Sequence, residues 1–365
     1  MIRRILLSGL ALLVIAVVAL AFVISRTSDC PTDPVATSGG DTMSAVIYRC
    51  YGSPDVLEYT TVDKPSPEAD ELLIKVAAAG VNPLDWHYMR GSPYILRLFA
   101  GTGAPDDYRA GVDFAGTVVA VGPDVTRYQV GDEIFGGAWG AFGEYVVRSE
   151  DRALAIKPDN VSFEEAAGVP IAAITALQAL RDHGQLQPGQ RVLINGASGG
   201  VGTYAVQIAK AMGAHVSGVC SGRNVDMVKS IGADQVFNYK EENYTESGQT
   251  FDLIVDMVGN HGALANRSVL APEGRLVVVG GAKGDWLAPF YSVITTSLVN
   301  LFVDQEMKTF TAQMTHEDMV ALAELMAEGK VRTVIDKVYP LAETAEAMRH
   351  SESGRARGKI VISQL

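Results

Sequence analysis

A short apolar run, Val192 to Ile194, leads into the turn Gly196-Ala-Ser-Gly-Gly-Val-Gly202 and then into Thr203 to Met212, a stretch with helical spacing closed by Gly213. Strand, glycine turn and helix in that order is the setting in which a glycine motif carries chemical meaning. Glycine lets the backbone turn sharply and lets a diphosphate approach main-chain N–H groups with no Cβ in the way. The start of the helix adds free N–H donors and a partial positive charge. Val206, Ile208 and Ala209 would face the sheet. The spacing is G-x-x-G-x-x-G, through Gly196, Gly199 and Gly202. A tight turn holding no ligand could use the same residues, so the next strand has to decide.

That strand is His215 to Cys220, followed by Ser221-Gly222-Arg223-Asn224. A site for NAD usually sets Asp or Glu at this strand end, about 20 residues past the glycines, to hold the ribose 2′-hydroxyl. No acidic residue occurs between Thr203 and Val225. Ser221 and Arg223 stand there instead. A hydroxyl and a planar guanidinium suit a 2′-phosphate. The expected cofactor is therefore NADPH rather than NADH, the alternative for Arg223 being a solvated loop charge.

The chain of 365 residues is long enough for two domains, and 48% hydrophobic with 20% charged residues describes a globular protein with large cores. A net charge of −12 argues against a nucleic-acid partner, which favours a basic face. The three cysteines, Cys30, Cys50 and Cys220, are scattered with no C-x-x-C pair. Neither a disulfide framework nor a cysteine zinc site is expected from them.

Residues 1–42 read as an appendage. Arg3-Arg4 precede Ile5 to Ile24, 20 residues interrupted only by Ser8 and Gly9. That is about the length of a bilayer-spanning helix, and the flanking charges favour an inside N-terminus. A single-pass membrane anchor is expected, followed by a flexible tether over Ser25 to Thr42. Ala19-Leu-Ala21 offers the competing reading of a cleaved signal peptide, and a lipid on Cys30 fits the preceding residues poorly. An outward-facing enzyme would lack NADPH. A chain starting near Met43 would be cytoplasmic and free of that tension.

From Ser44 onward short strands alternate with glycine- and proline-rich turns: Ala45 to Tyr48, Leu57 to Val62, Leu72 to Val81, Val112 to Val121 and Gly143 to Val147. They suggest a compact β-barrel. Phe163 to Leu180 is Ala-rich and helical, with Ser162 as N-cap. Beyond the glycine turn strands and helices alternate, with strands at Gln235 to Tyr239, Phe251 to Met257 and Arg275 to Gly281, implying a doubly wound parallel sheet. Phe290 to Val303 reads as a buried helix. A helix at Glu317 to Glu328 and strands at Val334 to Val338 and Lys359 to Ile362 would return to the first domain.

The segments Ala79-Gly-Val-Asn-Pro-Leu-Asp85, Gly111-Val-Asp-Phe-Ala-Gly116, Val130-Gly-Asp-Glu-Ile-Phe135, Ser230-Ile-Gly-Ala-Asp234 and Arg355-Ala-Arg-Gly-Lys-Ile-Val361, with the 196–202 turn, occur in one order. Together they resemble the medium-chain dehydrogenase/reductase superfamily, and within it the zinc-free branch of quinone oxidoreductases and enone reductases. The resemblance covers nearly all of Met43 to Leu365. It implies an α/β fold: a GroES-like β-barrel catalytic domain over 43–165, completed by 313–365, and a Rossmann cofactor domain over 166–312. Zinc alcohol dehydrogenases of this superfamily carry Cys and His ligands where this chain has Asn82 and Val112, and the four-cysteine zinc lobe is missing. An amide and a valine do not ligate zinc, so no metal is expected, and oxidation of simple alcohols loses its Lewis acid.

The resemblance further implies hydride transfer from NADPH to a small-molecule quinone or α,β-unsaturated carbonyl, with the cofactor carrying the chemistry. It puts Asn82 and Asp85 at the nicotinamide end with Thr175 nearby, and Ser198, Gly199, Gly200 and Val201 at the diphosphate. Ser221, Arg223 and Tyr239 would surround the adenosine phosphate, and Val258, Gly280 and Lys359 would line the rest of the groove. Tyr88, Tyr94 and His87 are candidates to face the substrate, with Tyr88 chosen as a catalytic residue; each could equally pack a cleft wall, and a quinone can take protons from water. Asp85 could instead cap a helix starting near Trp86. The family often forms dimers, so a homodimer is one option, and the sequence leaves the oligomeric state open. Two other readings remain: a zinc-type alcohol dehydrogenase, and a cofactor-binding interaction module with negligible turnover.

Overall fold

The computed structural model describes every residue except 1, 282–283, 287–294, 298, 301–302 and 304, with the backbone alone described over 2–11. The helix expected over Phe290–Val303 falls largely outside the described residues.

Two sheets organise the chain. The first is built on the long strand β3 (Glu71–Val81), which β4 (Asp113–Val121), β6 (Tyr145–Ser149) and β15 (Lys359–Ser363) all join antiparallel. β5 (Glu133–Gly137) and β7 (Leu154–Ile156) extend it beyond β4, and β14 (Ile335–Pro340) closes the other side. β1 (Thr42–Ile47) and β2 (Glu58–Asp63) pair with each other. The C-terminal strands thus complete a barrel begun by residues more than 200 positions earlier. The second sheet is entirely parallel, in the order β10 (Gln235–Asn238), β9 (His215–Cys220), β8 (Arg191–Asn195), β11 (Phe251–Asp256), β12 (Leu270–Val278), β13 (Glu306–Thr309). Its central strands are buried on both faces, which is why Val192 to Ile194 and Leu253 to Val255 are unbroken apolar runs.

The helix expected as one piece over Phe163–Leu180 is two. α4 (Phe163–Ala167) ends at Gly168, and α5 (Pro170–Gln178) begins on Pro170. Proline has no N–H for a continuing helix but suits a first turn. Ser162 caps α4 as expected, its hydroxyl accepting from Glu165 N at 3.1 Å. This break lets α5 pack on the parallel sheet while α4 stays on the barrel.

The cysteine reading is corrected: Cys30 and Cys50 form a disulfide, with Cα atoms 5.0 Å apart. Their 20-residue separation hid a contact made in space. The flexible tether is corrected with it. Arg97 Nη1 donates to the Arg26 carbonyl at 2.9 Å and to Ile24 at 3.2 Å. Ser28 N donates to Gly103 O at 2.8 Å, Arg49 Nη1 to Asp33 O at 2.8 Å, and Ser38 N to the Asp63 carboxylate at 2.9 Å. Val35 packs on Ala45, Ile47 and Val62. Residues 24–41 are a strap on the barrel. Cys30→Ser is expected to lower stability by about 3 kcal/mol for a loop of this length. Denaturant unfolding of the oxidised chain reads this; an unchanged midpoint would mean the strap's hydrogen bonds suffice alone.

Helix α1 (Ile2–Ser25) precedes the strap. Among the described residues no helix is long and apolar enough to cross a membrane. The anchor expected for 5–24 is not supported by the structure.

Candidate active site

β8 lies between β9 and β11, so the sheet is built outward in both directions from it. Crevices form beyond the C-terminal ends of strands at such a reversal. One does here, with a volume of about 1200 Å³, between the parallel sheet and the barrel.

The cleft floor is the 196–202 turn. Gly196 has φ +92°, and a Cβ on Gly202 would collide with the Gly196 carbonyl oxygen. Both positions therefore need glycine, one for conformation and one for close packing. α6 (Gly200–Ala211) starts here with Gly199 as its N-cap. A Cβ on Gly200 would meet nothing nearer than Lys359 Cδ at 3.4 Å, so no side chain of its own screens that amide from the cleft. A helix start with open N–H groups fits a diphosphate. The turn is held from two sides: Gly358 N donates to Ser198 O at 2.9 Å, and Asn224 Nδ2 donates to Ser198 Oγ at 3.0 Å. Asp256, buried at the end of β11, accepts from Asn195 Nδ2 at 2.8 Å, Val258 N at 3.0 Å and Gly259 N at 2.9 Å. It fixes the second loop of the cleft.

At the outer end stand Ser221, Arg223, Tyr239, Lys240 and Arg355, with Glu241 also on the wall. Arg223 Nη2 donates to Arg355 O at 2.7 Å, which leaves the guanidinium further donors. Arg355 and Lys240 escaped the sequence reading. Lys240 follows a strand end whose position was known, so proximity to Tyr239 was the available signal. Arg355 opens the segment that also carries Lys359, and that shared segment was the signal available for it.

The inner end is built by strand register. Gly80 on β3 faces Asp113 on β4, and Val81 faces Ile360 on β15, which brings Asn82, Asp113 and Lys359 together. Asn82 Oδ1 accepts from Lys359 Nζ at 2.5 Å, and Asn82 Nδ2 donates to Asp113 Oδ2 at 2.9 Å. Asp113 also accepts from Ile171 N at the start of α5, at 3.2 Å. Lys359 Nζ lies 3.9 Å from Asp113. Asp85 Oδ2 accepts from Asn82 N at 2.7 Å, at the start of α2 (Pro83–Arg90). Its Oδ1 is buried with no partner among the described residues. Burial pushes the Asp85 carboxyl up to about 7, further raised by Asp113. Burial likewise raises Asp113 to about 6, against the pull of Lys359 and Asn82, and lowers Lys359 below the usual lysine range.

These shifts set a pH dependence. Between about pH 4, where an unfolded Asp ionises, and about 6 to 7, the folded chain keeps protons that the unfolded chain releases. The two carboxyls thus favour folding most at the acid side, and that contribution is lost as pH rises to neutrality. Thermal unfolding should show a higher Tm near pH 5 than near pH 8. A Tm that rises steadily from pH 5 to 8 would contradict it, because carboxylates held low by their partners, such as Asp182, Asp234 and Glu306, are ionised in both states over that range.

Of the residues expected at the site, Asn82, Ser198, Gly199, Gly200, Val201, Ser221, Arg223, Tyr239, Val258 and Lys359 line the cleft. Gly280 lies one residue from the wall residue Gly281. Thr175 is buried behind Ile171, its hydroxyl donating to the Ile171 carbonyl at 2.7 Å. Asp85 does not reach the wall; it caps α2. Tyr88 packs on Trp139 at 4.8 Å, Tyr94 on Trp286 at 4.8 Å, and the His87 ring is tied to Ser92 O at 2.6 Å. None of these three is among the described residues that line the cleft. Among the described residues no three His, Cys, Asp or Glu side chains are grouped to hold a metal.

Comparison with known proteins agrees with this architecture. Residues 68–159 match the alcohol dehydrogenase GroES-like domain, and residues 231–362 match a family described as zinc-binding dehydrogenase. The chloroplastic quinone-oxidoreductase QR1 of Triphysaria versicolor is 36% identical over 341 residues, covering 88% of this chain and 99% of that protein. The 2-methylene-furan-3-one reductase of Solanum lycopersicum is 33% identical over 335 residues, covering 88% and 79%. The crystal structure of Escherichia coli quinone oxidoreductase complexed with NADPH superposes with a TM-score of 0.75 at 25% identity, covering 88% and 99%. The chain is an oxidoreductase that belongs to the zinc-free, quinone-oxidoreductase branch of the medium-chain dehydrogenase/reductase superfamily.

Proposed function

We propose that this chain passes a hydride from NADPH to a quinone or an α,β-unsaturated carbonyl, in the cleft between its barrel (43–165 and 313–365) and its parallel-sheet half (166–312), without a metal ion. The observation that carries the cofactor choice is the outer end of the cleft. Ser221 and Arg223 follow β9, Lys240 and Arg355 stand beside them, and no acidic residue lies between Cys220 and Val225, the stretch that in NAD sites holds a ribose hydroxyl, although Glu241 also lies on this wall. A phosphate finds donors there, charge-assisted by the guanidinium. The NADPH held by the Escherichia coli relative supports the same choice.

When bound, the reduced nicotinamide supplies the hydride. Ser198, Gly199, Gly200 and Val201 form the cradle for the diphosphate at the start of α6, the Gly199 N–H being held by the Gly196 carbonyl at 3.0 Å within the turn. Ser221, Arg223 and Tyr239 take the adenosine phosphate. Val258, Gly280 and Lys359 line the groove between, and Asn82 stands at the nicotinamide end. Asp85, Thr175 and Tyr88 act from behind the wall, through α2, α5 and Trp139. Asn82 and Val112 give no Lewis acid, so the acceptor has to be electrophilic already.

The test is cofactor consumption by the full chain against quinones, enones and primary alcohols. NADPH oxidation by quinones or enones is expected, with no alcohol oxidation. Alcohol oxidation with stoichiometric zinc would replace this reading. Tight NADPH binding with no turnover on any acceptor would favour the cofactor-binding module.

A further inference from the structure

The Asp113 carboxylate belongs to none of the roles above, yet it touches every part that meets at the inner end of the cleft. It is completely buried at the first position of β4. One side accepts from the Asn82 amide at 2.9 Å, and the carboxylate also accepts from Ile171 N at 3.2 Å. Lys359 Nζ lies 3.9 Å away and donates to Asn82 Oδ1 at 2.5 Å. Asn82 and Lys359 come from the barrel, while Ile171 opens the first helix packed on the parallel sheet.

We propose that Asp113 is a positioning residue for hydride transfer: it orients the Asn82 amide, anchors the Lys359 ammonium at the cleft wall, and ties both to α5, so that the two halves meet in one alignment. This rests on the reaction proposed above.

The chemistry explains why a carboxylate stands there. With its Nδ2 on Asp113 and its Oδ1 on Lys359, the Asn82 amide has one orientation only; a flip would set its N–H₂ against the ammonium and its oxygen against the carboxylate. A buried ammonium needs a nearby anion to stay charged. Ile171 N is a first-turn helix donor with no partner within its own helix, and a negative charge there complements the helix dipole. One carboxylate serves all three needs, and an apolar residue would serve none. The charged and titratable groups around it are Lys359 on β15, Asp85 on α2 and Tyr204 on α6, with Glu165 of α4 acting on Tyr204. A misplacement of about 1 Å at a hydride-transfer site costs up to ~100-fold in rate.

The experiment compares Asp113→Asn, near-isosteric and uncharged, with Asp113→Glu and the unchanged chain. Tm, NADPH Kd, bound-NADPH fluorescence and the pH profile of single-turnover oxidation are read on each. Asp113→Asn should stay folded and bind NADPH within ~3-fold, yet transfer hydride about 10- to 100-fold more slowly. The alkaline limb of its pH profile should move to lower pH, because Lys359 loses its neighbouring anion. Asp113→Glu should recover the pH profile in part. A folded Asp113→Asn with unchanged rate and pH profile overturns the proposal. So does a Tm loss alone, with the rate per folded molecule and the profile intact, since a purely structural carboxylate would give that. If the unchanged chain binds NADPH but reduces no acceptor, the reaction reading fails by itself. Bound-NADPH fluorescence then decides here: altered emission in Asp113→Asn at unchanged Kd supports the positioning role, and identical emission overturns it.

Discussion

Arg223→Ala weakens NADPH binding by about 10- to 100-fold and leaves NADH within ~2-fold. A hydrogen bond to a charged group is worth about 1.5–3 kcal/mol, and 1.4 kcal/mol is a factor of ten. The effect is confined to the phosphorylated cofactor if Arg223, on the turn after β9, meets the adenosine phosphate and not the shared diphosphate. Its bond to Arg355 O at 2.7 Å holds the guanidinium against the opposite lip. Lys240 and Arg355 limit the loss, so the double variant Arg223→Ala with Arg355→Ala should lower NADPH affinity further and bring the two cofactors close to equal. Fluorescence titration with both cofactors measures this. Equal losses for NADPH and NADH, or none, would show that Arg223 does not touch the phosphate.

Gly202→Val has the largest effect on the fold of the site. Even the first added carbon would collide with the Gly196 carbonyl oxygen and lie 2.8 Å from Ala197 Cα. Both are backbone atoms, so no side chain can move aside. α6 has to shift away from β8, and the cradle opens. Overpacking of a rigid core costs about 1–3 kcal/mol and more where backbone is the obstacle; the cofactor half should lose about 3 kcal/mol or more, and cofactor affinity about 100-fold or more. Calorimetry and NADPH titration read the two effects. A variant with unchanged Tm and affinity would mean that α6 does not need this close approach.

The parallel half was legible because its signals are local. His215 to Cys220 forms a strand over those residues, and the glycine turn joins β8 to α6 as read from the spacing. Barrel strands with long apolar runs, β3 and β4, were equally plain. The short ones, β5 and β7, were missed, since three to five residues carry no periodicity. Contacts over long separations were illegible. Nothing in the order of residues says that Cys30 meets Cys50, that Arg97 holds the strap, or that Arg355 meets Arg223. Asp113 lay inside a motif already noted, yet its partners come from three other elements, and only strand register brings them within reach. The residues that stayed behind the cleft wall have the same cause. Periodicity locates Asp85, Tyr88 and Thr175 along the chain, but which way each side faces depends on α2 and α5, whose starts are set by Pro83 and Pro170.

The central claim is hydride transfer from NADPH with no metal taking part. The most direct measurement is single-turnover oxidation of NADPH by a quinone, using full chain stripped by a strong chelator and assayed for zinc. Turnover undiminished from the untreated protein, with zinc far below one per chain, is the predicted result. Stoichiometric zinc in the untreated protein, together with activity lost on chelation and restored by adding zinc, would contradict it.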